Sequence, residues 1–332
     1  MGDWATISSG GSDYGYKILN TNKSDKSLFL APNFHQQFLS MKKQTLLFAS
    51  VLGIMGAAIA FFALSFSPRP APLTPTMPMC HDVSEAMAEF AAFANDENFI
   101  AAHPAPLPVE LAGKGKMIEF AVAGGPKGRG YLVKPHKKTK KYLLLFHEWW
   151  GLNDYVKNEA AMWSRDLGIN VLAIDLYDGK VATTPEEAGK VMQANNPARS
   201  LAIIEGAANK FGKKADFRTM GWCFGGGWSL QAALLLKNRN KACVMYYGMP
   251  EKDVEKLKTL ASDVIFIHAK QDQWITDQVV AEFETNMKAA GKTLTVHRYD
   301  ANHAFANPSS PRYHEPSAKD ARAVAKAYLS GR

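Results

Sequence analysis

From Met117 to Tyr299 the chain alternates short apolar runs with stretches of helical period, and this alternation confines it to one class of fold. Short Val-, Ile-, Leu- and Phe-rich runs bounded by polar residues suit strands buried on both faces. Helices between consecutive strands are what a parallel sheet needs to return the chain. The pattern predicts strands at 117–122, 129–134, 141–146, 169–174, 217–222, 242–247, 264–269 and 293–299. Between them, 154–167 sets Val156, Ala160, Trp163 and Leu167 on one helical face with Gly168 as its stop. Segment 276–290 repeats the plan with Val279, Val280, Phe283 and Met287 before Gly291. The expected fold class is therefore α/β, a mostly parallel twisted sheet with helices on both faces.

This domain is expected over 116–332, and three different stretches precede it. Residues 1–40 are rich in Ser, Asn, Gly and Gln without a period, which reads as disorder or as an extension upstream of a start at Met41. In 41–66, Lys42 and Lys43 lead into the uncharged run 46–66, a signal peptide or signal anchor whose helix would reach about 32 Å, enough to span a bilayer. The charge asymmetry continues beyond it, with Arg69 alone against six carboxylates in 67–113. That places the domain outside the cytoplasm, periplasmic or secreted, and anchored to the inner membrane if the segment is uncleaved. Residues 67–115 read as a Pro-rich linker and a short helical connector at 84–94.

The net charge of +8 comes from scattered lysines without a basic stripe or nucleic-acid motif, so nucleic acid is excluded as a partner. Three cysteines, Cys80, Cys223 and Cys243, are too few for a disulfide framework and lack zinc-site spacing, so no metal and no cofactor is expected. Cys80 in a connector and Cys243 in an apolar strand are not expected to pair. A monomer is expected.

Chemistry concentrates first at Gly221-Trp222-Cys223-Phe224-Gly225-Gly226-Gly227, directly after the strand 217–222 and before the helical run 228–237. A reactive side chain at the tip of a strand-to-helix turn needs very small residues two before and two after it, and Gly221 and Gly225 supply them. The helix N-terminus behind Cys223 favours a thiolate and, later, an oxyanion. In the order nucleophile, acid, histidine, Asp272 follows strand 264–269 and His303 follows strand 293–299. Asp277 and Asp300 are rival acids, and His268 and His297 rival bases that lie within predicted strands. Glu148, at the end of strand 141–146, fits either a helix N-terminal acid or a catalytic group.

Together Phe146-His147-Glu148-Trp149-Trp150-Gly151-Leu152-Asn153, Asp175-Leu176-Tyr177, the elbow, and Asn302-His303-Ala304-Phe305 resemble the motifs of dienelactone hydrolases, carboxymethylenebutenolidase-like α/β-hydrolases, in the same order. The resemblance spans roughly 116–331. It implies an α/β-hydrolase fold and a Cys223-His303-Asp272 triad cleaving an ester or lactone through a thioacyl-enzyme. It gives Glu148 a contact with the resting cysteine and makes the backbone N–H groups of Phe224 and Trp149 the oxyanion hole. The last assignment agrees with the general rule for nucleophile elbows. The two arginines with which family members hold the dienelactone carboxylate are replaced by Gly179 and Asn307, with Lys180 and Arg312 as nearby cations.

The expected ligand is a small ester or lactone, with Trp150, Lys180 and Asn307 as candidate substrate contacts and Trp149 and Trp222 lining or backing an apolar pocket. The alternative is a membrane-tethered binding module that keeps the hydrolase fold without turnover.

Overall fold

The computed structural model describes residues 85–332. The expected stretches 1–40 and 41–66, and Cys80, lie outside the described residues. Among the described residues no helix is long and apolar enough to cross a membrane.

Eight strands form one sheet: β1 (Lys116–Phe120), β2 (Gly128–Val133), β3 (Lys141–Phe146), β4 (Asn170–Asp175), β5 (Asp216–Trp222), β6 (Asn240–Tyr246), β7 (Val264–Ala269) and β8 (Leu294–Tyr299). Their spatial order is β1-β2-β4-β3-β5-β6-β7-β8. The β1–β2 and β2–β4 pairs are antiparallel and every later pair is parallel, an α/β-hydrolase-like sheet. Each strand covers most of a predicted run, because the central strands are apolar over most of their length. β4 and β7 are buried at every residue, which only a sheet covered on both faces requires. The edge strands β1 and β8 alternate exposed and half-buried positions instead.

The helices follow their periods. In α3 (Asp154–Leu167) the Asn153 side chain accepts from the Val156 N–H and Gly168 closes the end at φ 65°, while Val156, Ala160 and Trp163 are buried. In α8 (Asp277–Ala289) Thr276 caps the start and Val280, Phe283 and Met287 face inward, with Val279 half-buried.

The helix after β5 departs from expectation. It runs over Phe224–Leu236 and so takes in Gly225, Gly226 and Gly227, which propensity alone would exclude. A Cβ on Gly226 would lie 2.6 Å from the Tyr246 carbonyl oxygen, and one on Gly227 would lie 2.7 Å from Met87 Sδ. This helix, buried on nearly every side, approaches the sheet backbone more closely than side chains allow, and that contact outweighs the cost of three glycines.

Residues 85–103, within the stretch expected as linker and connector, form α1 (Glu85–Ala92), a 3-10 turn (Phe93–Asn95) and α2 (Glu97–Ala102). Phe90 and Phe99 are fully buried in the domain's hydrophobic core, each contributing about 1.5–3 kcal/mol by that burial. The segment lies over the carboxyl ends of the strands, where the chemistry-bearing side chains also gather.

Candidate active site

β5 delivers Cys223 to a turn at φ 57° and ψ −122°, a conformation that costs a residue bearing a Cβ about 1–3 kcal/mol. The turn is held by the Cys223 N–H donating to Tyr246 O at 3.0 Å and the Gly226 N–H donating to Cys223 O at 2.9 Å. A Cβ on Gly221 would run into the carbonyl of Gly225, and one on Gly225 into the carbonyl of Phe146. The two glycines are thus required by sterics, as the sequence argument predicted.

His303 and Asp272 converge on this turn from the ends of β8 and β7. His303 Nδ1 donates to Asp272 Oδ2 at 2.6 Å, and both side chains are fully buried. Asp272 Oδ1 accepts from the backbone N–H groups of Trp274 and Ile275, each at 3.0 Å, so the carboxylate cannot turn away. With Nδ1 donating to Asp272, Nε2 is the ring nitrogen left to exchange a proton with the thiol. A ring nitrogen of His303 lies within 4.8 Å of Cys223 Sγ, and the two side chains interact directly. Burial opposes charge on the imidazole, but the carboxylate of Asp272 and a thiolate on Cys223 outweigh it and raise His303 to about 10. Burial pushes the Cys223 thiol up, His303 pulls it back, and the Glu148 carboxylate pushes it up again. The Phe224 N–H acts on the thiol in the opposite, lowering sense.

The rivals are occupied elsewhere. His268 Nε2 pairs with Asp277 Oδ1 at 2.8 Å, and Asp300 accepts from Gln271 Nε2 at 3.1 Å on the exposed side. His297 is half-buried in the edge strand β8. Cys243 is fully buried beside Ser229 Oγ, and burial pushes it up to about 11.

Glu148 is buried and accepts at Oε2 from Asn307 Nδ2 at 2.6 Å. Asn307 Oδ1 in turn accepts from the Ser309 N–H and Oγ at 2.8 and 2.7 Å, which fixes the amide so that its NH₂ faces Glu148. Asn307, expected as a substrate contact, lines the cavity at Cys223 and also donates to Glu148. Burial raises Glu148 to about 7 from an ordinary 4.5, with the Asn307 hydrogen bond and His303 opposing. The folded state therefore keeps a proton that the unfolded chain loses above 4.5, and this carboxyl progressively destabilises the fold as pH rises from 4.5 through 7. Glu148→Gln is expected to leave stability unchanged at low pH and to raise it by up to about 3 kcal/mol at pH 8. Urea unfolding of both proteins at pH 4.5 and 8 checks this; a variant less stable at pH 8 than the parent would contradict it.

Trp150 lines the small cavity above Cys223, together with Glu148, Trp149 and Ser309. Trp149 is wholly buried, its ring edge-on to Phe99 at 5.2 Å and to Trp150 at 4.9 Å. Trp222 packs on Tyr246 at 5.7 Å and does not line that cavity. Lys180 is exposed and likewise not part of the lining, and beside it the Arg129 guanidinium lies 2.9 Å from where a Cβ at Gly179 would stand. Arg312 lies nearer, its guanidinium 5.7 Å from the Trp274 ring and close enough to Asp272 to interact electrostatically.

Sequence reasoning missed what covers the site. His103 ends α2, is 7% exposed, and sits with its ring 5.1 Å from that of His303. Pro104 and Pro106 continue the cover, and the cavity left above Cys223 is about 10 Å³, room for roughly one water molecule. Trp274 Nε1 donates to Asp96 Oδ2 at 2.9 Å and Gln193 Nε2 to Asn95 Oδ1 at 2.6 Å, tying the cover down. No signal near the elbow points to a histidine 120 positions earlier. A larger cavity of about 800 Å³ opens at the other ends of the strands among Lys141, Asp216, Arg218 and Asp263, and its lining holds no cysteine or histidine.

A family model described as the dienelactone hydrolase family matches residues 129–330. The chain belongs to the dienelactone hydrolase family. Protein usf of Aquifex pyrophilus is 28% identical over 213 residues, covering 61% of this chain and 91% of that protein. Carboxymethylenebutenolidase of Pseudomonas sp. (strain P51) is 25% identical over 218 residues, covering 62% and 91%. Among solved structures, a dienelactone hydrolase-like promiscuous phosphotriesterase from metagenomic libraries superposes with a TM-score of 0.56 at 19% identity, covering 66% of this chain and 99% of that one. Carboxyl esterase 2 of Tuber melanosporum superposes at 0.52 and 14% identity, covering 75% and 98%. These two likenesses show a shared fold. The matched family region begins after the cover segment, so α1, α2 and His103 lie outside it.

Proposed function

We propose that this dienelactone hydrolase family member cleaves a carboxylic ester or lactone, with Cys223 as nucleophile, His303 as base and Asp272 as the group that orients the base. The observation that carries this reading is Cys223 held on a strained turn within reach of the His303 imidazole, whose Nδ1–H is fixed by Asp272 at 2.6 Å. The thiol proton passes to Nε2 as Sγ attacks the carbonyl carbon. The Phe224 and Trp149 N–H groups receive the oxyanion, and the C–O bond breaks with the proton going from imidazolium to the leaving alkoxide. Water, deprotonated by the same imidazole, then releases the acid and restores the thiol. The name of the Pseudomonas relative supports a lactone or ester as the substrate class.

Substrate cannot reach Sγ past His103, Pro104 and Pro106 in a cavity of about 10 Å³, so turnover requires the cover to open. In the same reading the charged-then-apolar stretch 41–66 directs the domain out of the cytoplasm, which cell fractionation would test. The full chain is expected to release nitrophenol from short nitrophenyl esters through many turnovers. Stoichiometric binding without turnover by a folded protein would instead favour a binding module.

Substrate charge follows from the side chains at the two positions of interest. Gly179 offers none, and the Asn307 amide is bonded to Glu148 and Ser309. A paired guanidinium on a carboxylate contributes about 1.5–3 kcal/mol per charged hydrogen bond. Without it, kcat/KM for a neutral lactone or short ester is expected to exceed that for cis-dienelactone when both are measured on one preparation. A strong preference for the anionic lactone that disappears in Arg312→Ala or Lys180→Ala would show that a displaced cation replaces the arginines.

A further inference from the structure

We propose that His103, Cys223 and His303 together form a binding site for a thiophilic divalent cation of the zinc type, which ties the cover segment to the nucleophile and its base. The three donor atoms lie within 4.8 Å of one another, and all three residues are buried. A point therefore exists within about 2.8 Å of all three. Closing to Zn–N distances of ~2.0–2.1 Å and Zn–S of ~2.3 Å needs each atom to move inward by ~0.5–0.8 Å, a side-chain adjustment.

The orientation of both imidazoles is what distinguishes this cluster from a chance gathering. His103 Nδ1 lies 2.6 Å from Phe99 O, and since a carbonyl can only accept, that nitrogen carries the hydrogen and Nε2 holds the lone pair. Nε2 of His103 has no partner although the residue is buried. His303 repeats the arrangement with Asp272 on Nδ1, and its other ring nitrogen faces Cys223. A histidine whose other ring nitrogen donates to a carbonyl or carboxylate is how metal-binding imidazoles are held and made basic. One thiolate and two imidazoles select zinc-like cations over the oxygen-seeking magnesium and calcium. The thiolate, with Asp272 behind His303, supplies the negative charge a dication needs. The cavity of about 10 Å³ leaves room for one water as fourth ligand.

Binding breaks the Sγ–H bond, forms an Sγ–metal bond and releases one proton to solvent, with no change of oxidation state. Because His103 belongs to the cover and Cys223 and His303 to the elbow side, the ion exists in its full coordination only with the cover closed. The site rests on donor geometry alone, so its failure leaves the ester-hydrolase reading intact, and activity in chelator reports on that reading separately.

The test uses the full chain freed of metal with chelator and titrated with Co²⁺, then Zn²⁺. Expected are one Co²⁺ per chain with a thiolate-to-cobalt charge-transfer band, and protection of Cys223 from iodoacetamide by Zn²⁺. X-ray absorption of the Zn²⁺ form should show one sulfur and two imidazoles. His103→Ala should weaken Co²⁺ binding at least ~10-fold, the lower bound for losing a group that holds a metal. No charge-transfer band, an unchanged affinity in His103→Ala, or a Zn²⁺ shell with fewer than two imidazoles would overturn the proposal. Should His103→Ala fail to fold, the absorption spectrum of the unaltered protein decides the matter.

Discussion

Cys223→Ala is expected to lower kcat for ester hydrolysis by about 10⁵–10⁶-fold, the scale seen when a triad nucleophile is removed. The fold should survive, because alanine keeps the Cβ already accommodated at φ 57° and the loss is one buried sulfur. The backbone anchors of the turn, Cys223 N–H to Tyr246 O and Gly226 N–H to Cys223 O, are independent of the side chain. In the parent, iodoacetamide should label Cys223 and abolish activity. Cys243 should resist it, since burial raises that thiol to about 11 and it has no base beside it. Activity within tenfold of the parent in Cys223→Ala, with an unchanged melting curve, would remove this thiol from the mechanism.

Asp272→Asn should cost about 10⁴-fold in kcat, by the tautomer argument established for serine-protease triads. The Asn Oδ1 can still accept from the Trp274 and Ile275 N–H groups, so the loop should hold. Its NH₂ then faces His303 Nδ1 and favours the tautomer with hydrogen on Nε2, which leaves no lone pair toward Sγ. The Asp272 charge also raises His303, so its removal should move the imidazole's titration downward. The pH dependence of kcat and of Cys223 alkylation would show both effects. Asp277→Asn and Asp300→Asn should leave kcat within a few-fold, because those carboxylates serve His268 and Gln271. A large loss in either, with none in Asp272→Asn, would reassign the acid.

The extent to which this architecture could be read in advance depends on the range of the interaction concerned. The strands were legible because burial on both faces favours mostly apolar runs, and β4 and β7 have them, broken only by Asn170, Asp175 and His268. The helix after the elbow was read four residues late, because Gly225 to Gly227 look like turn residues until the carbonyl of Tyr246 is seen against them. Lys180 stands near the site in sequence, yet its side chain is exposed and outside the cavity lining, which only the folded loop reveals.

The sheet and the elbow are written in local spacing, strand, tight turn, helix, whereas local spacing leaves the acid open among Asp272, Asp277 and Asp300. Only the tertiary structure decided that Asp272 rather than Asp277 or Asp300 holds His303, and that Asn307 orients Glu148. It alone also brought His103, 120 residues before Cys223, over the thiol. Its placement depends on Phe90 and Phe99 entering the core and on Asp96 meeting Trp274, contacts between distant segments that no local pattern encodes.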